Sequence, residues 1–259
     1  MLITREMISL SERGELDSDD IDFSDRIIAD SKEKPEVVSE EDANHLNSVE
    51  LLEICGNDSS VAESAWVSTL TELTEEKLAR IPGFVGDLWR LGHTSCFESV
   101  FLKFRVKVDA ASKYHLLRHR HLSFNSQSYR YKESREDSYY IPTDEAWTEE
   151  WQGHLKSATE SCYKLYHRFI KDGEERGIPR SRLKESARYF LPMSIQYEMI
   201  ISMNLLAFLK FLELRDAKES QVEIREIAAE MKRLVIDHPN SPLKHTMEAF
   251  ETKRGNNGN

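Results

Sequence analysis

The residues from 118 to 131 bring together the side chains best suited to ligand chemistry. Three arginines, two histidines, three serines, an asparagine and a glutamine lie within these fourteen residues, directly after an apolar segment. Guanidinium groups match phosphate oxygens, while hydroxyls and amides hydrogen-bond polar rings such as a pyrimidine or a flavin. Burying such a set is unfavourable without an anionic or strongly hydrogen-bonding ligand. The segment therefore predicts an anionic-ligand site, and the alternative is a solvated basic loop.

Apolar patterns upstream indicate the elements that position this segment. Residues 100–108 alternate apolar with mostly basic side chains, which predicts a strand with one buried face. Residues 112–117 favour a short helix that leads into the segment. Residues 49–54 predict an earlier strand. Residues 61–66 and 74–91 have helical spacing, and Ile81-Pro82-Gly83 interrupts the second of these stretches.

Downstream, apolar residues from Trp151 to Phe169 recur at steps of four and three, which is typical of an amphipathic helix ending near Gly173. Further elements are predicted as helices over 182–189, 205–214 and 220–236 and as a strand over 197–203. Together these elements predict a helix-rich α+β domain.

Composition and charge exclude several classes of protein. At 259 residues the chain can hold one sizeable core, or one domain plus an extension. A net charge of −11 disfavours nucleic-acid and membrane-surface partners. The acidic excess lies in residues 15–42. We therefore expect an acidic extension over 1–47, partly disordered or loosely packed, then a main domain over 48–250 and a polar tail over 251–259.

Cysteine and histidine spacing argues against disulfides and metals. Cys55, Cys96 and Cys162 are odd in number, and the N-terminus lacks a signal-type apolar core, so a reducing, cytoplasmic location is expected. No apolar run is long enough to span a bilayer. His119 and His121 have no acidic or cysteine partner at ligand spacing, so no metal is expected. Because the sequence has no G-x-G-x-x-G and no P-loop, a dinucleotide would depend on arginines and side-chain donors.

Several motifs, in order, resemble the flavin-dependent thymidylate synthase family. The family's signature, Arg-His-Arg and then Ser after seven residues, matches Arg118 to Ser128. The other matching elements are Asn57-Asp58, Ala65-Trp66-Val67-Ser68, Gly92-His93-Thr94-Ser95 through Glu98, Arg188-Tyr189-Phe190-Leu191-Pro192, Asn204, Arg215 and Gln221-Val222-Glu223-Ile224-Arg225. They cover about residues 49–240. One such match arises by chance easily, but the whole ordered series does not.

The resemblance implies a fold and an activity. The expected fold is a single helix-rich α+β domain with a curled antiparallel or mixed sheet, in a homotetramer whose active sites lie where subunits meet. The expected reaction is C5 methylation of dUMP to dTMP, with methylenetetrahydrofolate as carbon donor and NADPH reducing bound FAD. Since no cysteine stands in a Pro-Cys-His-type setting, covalent activation of the uracil ring by cysteine has no candidate.

The resemblance also implies roles for individual residues. Arg215 would stabilise negative charge on the N3/O4 side of the uracil ring, although an arginine at a helix C-terminus can simply interact with the helix dipole. Ser128 lacks an adjacent base, so we expect it to contact the substrate and not to act as a nucleophile. The residues expected to bind the nucleotide are His115, Arg118, Ser126, Gln127, Ser128, Arg130, Arg188 and Arg215. Those expected to bind FAD are Ser68, His93, Ser95, Arg118, His119, Arg120, Ser126, Asn204 and Lys210.

Structural alternatives stay open for five of these residues. For Arg130 and Arg188 the alternative is a surface ion pair, which is the commoner role of an arginine. Ser95 and Asn204 are equally suited to capping a helix. For His93 the alternative is a hydrogen bond within the core.

The sequence departs from the family pattern at five positions. His115 stands where glutamine is usual, Ser126 replaces a common Glu or Gln, and Ser99 replaces a frequent His. Leu206 and Lys210 replace the usual Arg and Asn near the flavin. Since His115 and Ser126 are expected beside the nucleotide, a UMP C5-methylase of nucleoside-antibiotic biosynthesis is the alternative activity. Two further alternatives are a nucleotide- or RNA-binding module without catalysis, and a family member that binds flavin and nucleotide without turnover.

Overall fold

The structure, a computed structural model, describes residues 45–69, 74–134 and 138–257. The predicted acidic extension falls mainly on residues 1–44, which lie outside the described residues.

A four-stranded antiparallel sheet forms the centre of the fold. Its strands are β1 (Ser48–Cys55), β2 (Phe101–Asp109), β3 (Ser123–Ser126) and β4 (Gln196–Asn204), in the spatial order β1-β2-β4-β3. In β2, Leu102, Phe104 and Val106 are buried, while Lys103 and Arg105 are exposed. The period-two pattern therefore places one face of the sheet in the core and leaves the other open in this chain.

Nine helices occupy the described ranges. They are α1 (Asp58–Trp66), α2 (Glu75–Ala79), α3 (Ile81–Leu91), α4 (Ala110–Leu117), α5 (Glu149–Glu175), α6 (Arg180–Ala187), α7 (Leu205–Arg215), α8 (Val222–Ile236) and α9 (Lys244–Asn257). Short 3₁₀ turns cover Val67–Thr69, Ser95–Ser99 and Arg188–Phe190.

Helix α7 lies at the centre of the core. Five of its residues, Leu205, Phe208, Leu209, Phe211 and Leu212, are fully buried. The ring of Phe208 stacks on Phe104 of β2 at 5.7 Å between centroids. Because α7 directly follows β4, this packing fixes both ends of the helix relative to the sheet. Its N-terminus is at Asn204 and its C-terminus at Arg215.

A second, smaller cluster joins α5 to α6. Tyr166 and Ile170 of α5 pack against Leu183 and Ala187 of α6. A Cβ added at Gly173 would lie 2.1 Å from a methyl carbon of Leu183, so any larger residue here would force the buried side chain of Leu183 to move. Helix α6 leads directly into the 3₁₀ turn that begins at Arg188.

The predicted α+β class is confirmed, and the predicted strands and helices are present with shifts of a few residues at their ends. Two elements were not expected. Strand β3 lies inside residues 118–131, where no strand was predicted, and α9 covers residues 244–257, most of whose side chains are polar. Asp58 explains α9, since its carboxylate accepts hydrogen bonds from the backbone N–H groups of His245 (2.8 Å) and Thr246 (3.2 Å) at the helix start.

Candidate active site

The arginine-rich segment, residues 118–131, is held along the edge of the sheet. Helix α4 is capped by Asp109, which accepts from the backbone N–H of Ser112 at 2.9 Å, and it ends at Arg118. The chain then pairs with β4 as β3, and the backbone N–H of Gln127 donates to the carbonyl of Glu198 at 2.8 Å. The backbone of residues 118–131 is therefore held in place and forms a rim along the sheet. A binding site needs such a fixed backbone, whereas a solvated basic loop does not.

His119 pins the segment to the core. Its Nε2 lies 3.0 Å from the carbonyl oxygen of Ala207, so Nε2 carries the hydrogen and donates it. The ring also meets Phe211 edge-on at 5.5 Å. Burial lowers the pKa of His119 below its ordinary value, the charges of His121 and Arg215 add to this effect, and the hydrogen bond to Ala207 opposes it. His119 is therefore held neutral, between the basic segment and α7.

Two shallow concavities lie on the open side of the sheet along this rim. The first, of about 280 Å³, is lined by Phe101, Arg120, His121, Leu122, Ser123, Ser202, Met203 and Asn204. The second, of about 330 Å³, is lined by Arg105, Asn125, Ser126, Gln127, Glu198, Met199 and Ile200. Four predicted ligand residues, Arg120, Ser126, Gln127 and Asn204, therefore line two concavities on the same face.

Asn204 has a structural role in this geometry. Its Oδ1 accepts from the backbone N–H of Ala207 at 2.8 Å and caps α7. The capping alternative is confirmed, and the predicted contact of Asn204 with FAD stays a prediction.

Three other predicted FAD contacts line a separate cavity of about 760 Å³. Ser68, His93 and Ser95 face it, together with the rings of Trp66 and Phe84, which stack at 5.0 Å. The side chain of His93 is exposed, and the turn that starts at Ser95 has no side-chain cap hydrogen bond. The structural alternatives for His93 and Ser95 are therefore wrong. In one chain this cavity and the arginine-rich rim are lined by different residues.

The arginines differ in their partners. Arg130 pairs with Glu185 of α6, with Nε at 3.0 Å and Nη2 at 2.7 Å, so the ion-pair alternative describes it. Arg188 donates instead to the carbonyl of Glu185 at 3.2 Å. Within the described residues, Arg118, Arg120 and Arg188 have no carboxylate at ion-pair distance. Glu185 thus brings the 118–131 segment and the turn at Arg188 together.

Arg215 occupies the last position of α7, beside the segment. Its Nε is buried and has no hydrogen-bond partner among the residues that the structure describes. Its charge acts on His119, which places the two side chains in the same neighbourhood. An unpartnered buried guanidinium nitrogen is unfavourable on its own, and a ligand that accepts from it would relieve this.

The remaining predicted residues are placed as follows. The Nε2 of His115 lies 3.1 Å from Oε1 of Gln221, at the start of α8. Ser128 Oγ accepts from the backbone N–H of Arg130 at 3.4 Å. Lys210 pairs with Glu213 at 2.7 Å and lies 5.6 Å from the ring centroid of Trp89, so its described contacts are not with the arginine-rich segment.

Sequence reasoning missed two features of this region. Arg105 lines the second concavity, but in the sequence it is only one of the basic residues on the exposed face of β2. Lys113 lies with Nζ 3.5 Å from the ring centroid of Tyr197, and burial lowers the pKa of Lys113 to about 8. Tyr197 also packs on Tyr129 at 4.9 Å. The signal for Lys113 was its position two residues before His115 on α4, the helix that precedes the segment.

Comparisons with known proteins decide the family. The family model described as thymidylate synthase complementing protein matches residues 50–239. The chain belongs to the flavin-dependent thymidylate synthase family. It is 32% identical over 170 residues to the flavin-dependent thymidylate synthase of Geobacter sulfurreducens, covering 64% of this chain and 70% of the relative. It is also 32% identical over 184 residues to that of Pseudothermotoga lettingae, covering 70% and 80%.

Solved structures agree with the family. The UMP/dUMP methylase PolB from Streptomyces cacaoi, bound with 5-Br dUMP, superposes with a TM-score of 0.65 at 29% identity, covering 80% of this chain and 95% of PolB. The same protein bound with 5-Br UMP gives a TM-score of 0.64 at 25% identity. The prediction of a pyrimidine nucleotide C5-methyltransferase of the flavin-dependent thymidylate synthase type is confirmed, and so is the predicted fold.

The residues of this chain fit a flavin nucleotide. A pyrophosphate requires cations that acidic partners do not neutralise, and Arg118 and Arg120 meet this condition among the described side chains. A flat ring requires hydrogen-bond donors and apolar surface, which the two concavities provide. No group of three His, Cys, Asp or Glu residues in the described ranges is arranged to hold a metal. None of the described helices combines the length and apolar character needed to cross a membrane.

Proposed function

We propose that this chain catalyses the reductive C5 methylation of a uridine monophosphate, dUMP to dTMP, with FAD as cofactor. Methylenetetrahydrofolate would donate the carbon and NADPH would reduce the flavin. The family match, the nucleotide analogues bound to PolB and the arginine-lined rim support the nucleotide substrate. Reduced FAD, when bound, supplies the hydride for the final reduction.

The observation that carries the proposal is the buried Nε of Arg215, which has no hydrogen-bond partner among the described residues. Carbon C5 of uracil is a weak nucleophile, and it becomes stronger when negative charge can accumulate on N3 and O4. A guanidinium fixed next to the ring stabilises that charge without reorganising. Arg215 has the required donor on a buried nitrogen with no described partner, beside the Arg-His-Arg segment.

The surrounding residues would bind and orient the two ligands. Arg118 and Arg120 would hold FAD phosphates, and Arg188 would hold the nucleotide. Arg130 would do so together with Glu185, which keeps its guanidinium in place. Neutral His119 keeps the segment on α7 without adding positive charge that would repel Arg215.

Subunit assembly would complete the site. The cavity containing Ser68, His93 and Ser95 and the rim containing Arg120 are lined by different residues within one chain, and both belong to the predicted FAD set. The open face of the sheet gives a second subunit a surface on which to dock. We therefore propose a homotetramer in which two chains contribute to each flavin site.

A UMP methylase is the second candidate, and a specific observation favours it. At position 115, where family members usually carry a glutamine, this chain has His115, whose imidazole contacts Gln221. At position 126 it has Ser126, whose side chain is shorter than the usual Glu or Gln. The shorter side chain leaves more room in the second concavity, where a ribose 2′-hydroxyl can be accepted. PolB, similar over 80% of this chain, is described as acting on both nucleotides.

We also propose where the reaction takes place and how the chain is divided. Cys55, Cys96 and Cys162 are free thiols, which suits a reducing cytoplasm. Residues 48–250 would form the catalytic domain, preceded by the acidic extension. The predicted tail after residue 250 begins inside α9, which runs to Asn257.

The test combines flavin spectroscopy with product analysis. The purified protein should be yellow or should take up added FAD, its flavin absorbance should bleach with NADPH, and it should then methylate dUMP or UMP when methylenetetrahydrofolate is present. Arg215→Ala should retain FAD and lose product formation by about a hundredfold or more. Arg233→Ala, which removes an exposed arginine on α8, is the matched control and should be unchanged. Full activity in Arg215→Ala would eliminate the proposed role of Arg215.

A further inference from the structure

The C-terminal helix holds the residue that follows Arg215. Asp216 is the C-cap of α7, and its carboxylate is the least exposed one in any described ion pair, at 14%. Arg254 of α9 contacts it twice. Nη1 lies 2.6 Å from Oδ2, and Nη2 donates to the main-chain carbonyl at 2.6 Å. Lys232 of α8 contacts the same Oδ2 at 2.7 Å.

These contacts suit the end of a helix. The last carbonyl groups of a helix lack intrahelical donors and carry partial negative charge, which a cation stabilises. Burial alone would raise the pKa of Asp216, but the hydrogen bonds and charges of Lys232 and Arg254 outweigh it and hold that pKa below the ordinary value. Asp216 is therefore ionised, and two cations from two other helices bind it.

Arg215 needs such an anchor because its own Nε has no hydrogen-bond partner among the described residues. Its orientation then depends on its backbone, and Asp216 is the next residue. A guanidinium that stabilises developing charge must be placed to within a fraction of an ångström. Helix α9 lies beyond the residues 50–239 that match the family model, so this anchor comes from outside the matched region.

We propose that Arg254 is a positioning residue for the methylation reaction: through Asp216 it fixes the end of α7 and so the guanidinium of Arg215. This proposal rests on the proposed function of Arg215. It extends the site to a residue of α9, whose described contacts with α7 are made to Asp216.

The first experiment separates positioning from binding. Arg254→Met should lower kcat by about tenfold or more, while the KM for the nucleotide and the FAD content stay within about twofold of wild type. Arg254→Lys, which keeps a cation for Oδ2, should recover most of the loss. Arg233→Met removes an exposed arginine of α8 that pairs with two carboxylates of its own, Glu230 and Asp237, so it is the control and should match wild type. Asp216→Asn, which keeps the shape and removes the charge, should reproduce the kcat loss.

A double-mutant comparison tests whether Arg254 acts through Arg215. In an Arg215→Lys background, Arg254→Met should lower kcat by less than about twofold further, because the anchored group has already been changed. The same tenfold loss in both backgrounds would overturn the proposal. A loss of kcat that is accounted for by lost FAD or by a lower Tm would also overturn the proposal.

A readout that does not need turnover keeps the two proposals distinguishable. Phenylglyoxal modifies accessible arginines, and peptide mapping by mass spectrometry gives the rate at Arg215. Arg254→Met should raise that rate by about threefold or more, with the rate at Arg233 unchanged. If wild type makes no methylated product, the proposed function fails, and the modification rate still decides the anchor. An unchanged rate at Arg215 would refute it.

Discussion

Replacing His119 by Phe removes one buried hydrogen bond and little else. The hydrogen bond that Nε2 donates to the carbonyl of Ala207 is lost, while an aromatic ring of similar size stays edge-on to Phe211. A single buried hydrogen bond of this kind contributes roughly 1 to 2 kcal/mol, because the carbonyl lies in a helix and keeps its intrahelical donor. At 2 to 4 °C per kcal/mol for a chain of this size, the Tm at pH 7.5 should fall by about 2 to 8 °C.

The pH dependence of this difference is the sharper test. The pKa of His119 is lowered in the folded protein, so between that value and about 6.5 the unfolded chain binds a proton that the folded chain does not. The stabilisation from neutral His119 is therefore complete above pH 6.5 and decreases as the pH falls towards the folded pKa. The Phe variant has no such loss. Its Tm deficit should shrink between pH 7.5 and pH 5.5.

Thermal melts of both proteins at a fixed protein concentration, without added flavin, measure this deficit. His121→Phe is the matched control, because His121 is exposed and two residues away. Its Tm should equal that of wild type at pH 7.5. A deficit for His119→Phe that stays constant or grows as the pH falls would refute the buried, neutral histidine.

Three other substitutions test the fold and the flavin site. Gly173→Ala drives a Cβ into Leu183, whereas Gly153→Ala in the same helix meets no atom within 4 Å. Both variants gain helix propensity, so the difference between their stabilities isolates the steric clash with Leu183. Gly173→Ala should be less stable than Gly153→Ala by about 1 to 3 kcal/mol in thermal melts, and equal stabilities would contradict the clash. Asp58→Ala removes the cap of α9 and should cost roughly 2 to 4 kcal/mol; a loss under 1 kcal/mol would show that the helix does not depend on it. Arg120→Ala should weaken FAD retention by about tenfold in equilibrium dialysis, and undiminished flavin content would contradict the phosphate contact.

Most of the scaffold could be predicted because its signals are local. The alternation in β2 and the four-three steps of α5 follow from which side chains each element buries, and both elements lie where the patterns predicted them. Helix α9 was missed because few of its residues are apolar, and its cap, Asp58, is 187 residues away from His245. A partner at that separation leaves no local pattern.

The candidate site was predictable in residue types and not in contacts. Ordered motifs identified Arg118, Arg120 and Arg215, but nothing in the sequence distinguished them from Arg130, which pairs with Glu185. Ion pairing depends on which acidic residue the fold brings near. For the same reason, Asp216 and its contacts with α8 and α9 only became visible in three dimensions.

The most direct test of the proposed reaction is competition between dUMP and UMP in one mixture with the protein, FAD, NADPH and methylenetetrahydrofolate, followed by mass detection of both nucleotides. The proposed function predicts that at least one nucleotide gains a methyl group at C5, and that the gain requires both the folate and Arg215. Bound flavin that NADPH reduces normally, together with two nucleotides of unchanged mass, would contradict it.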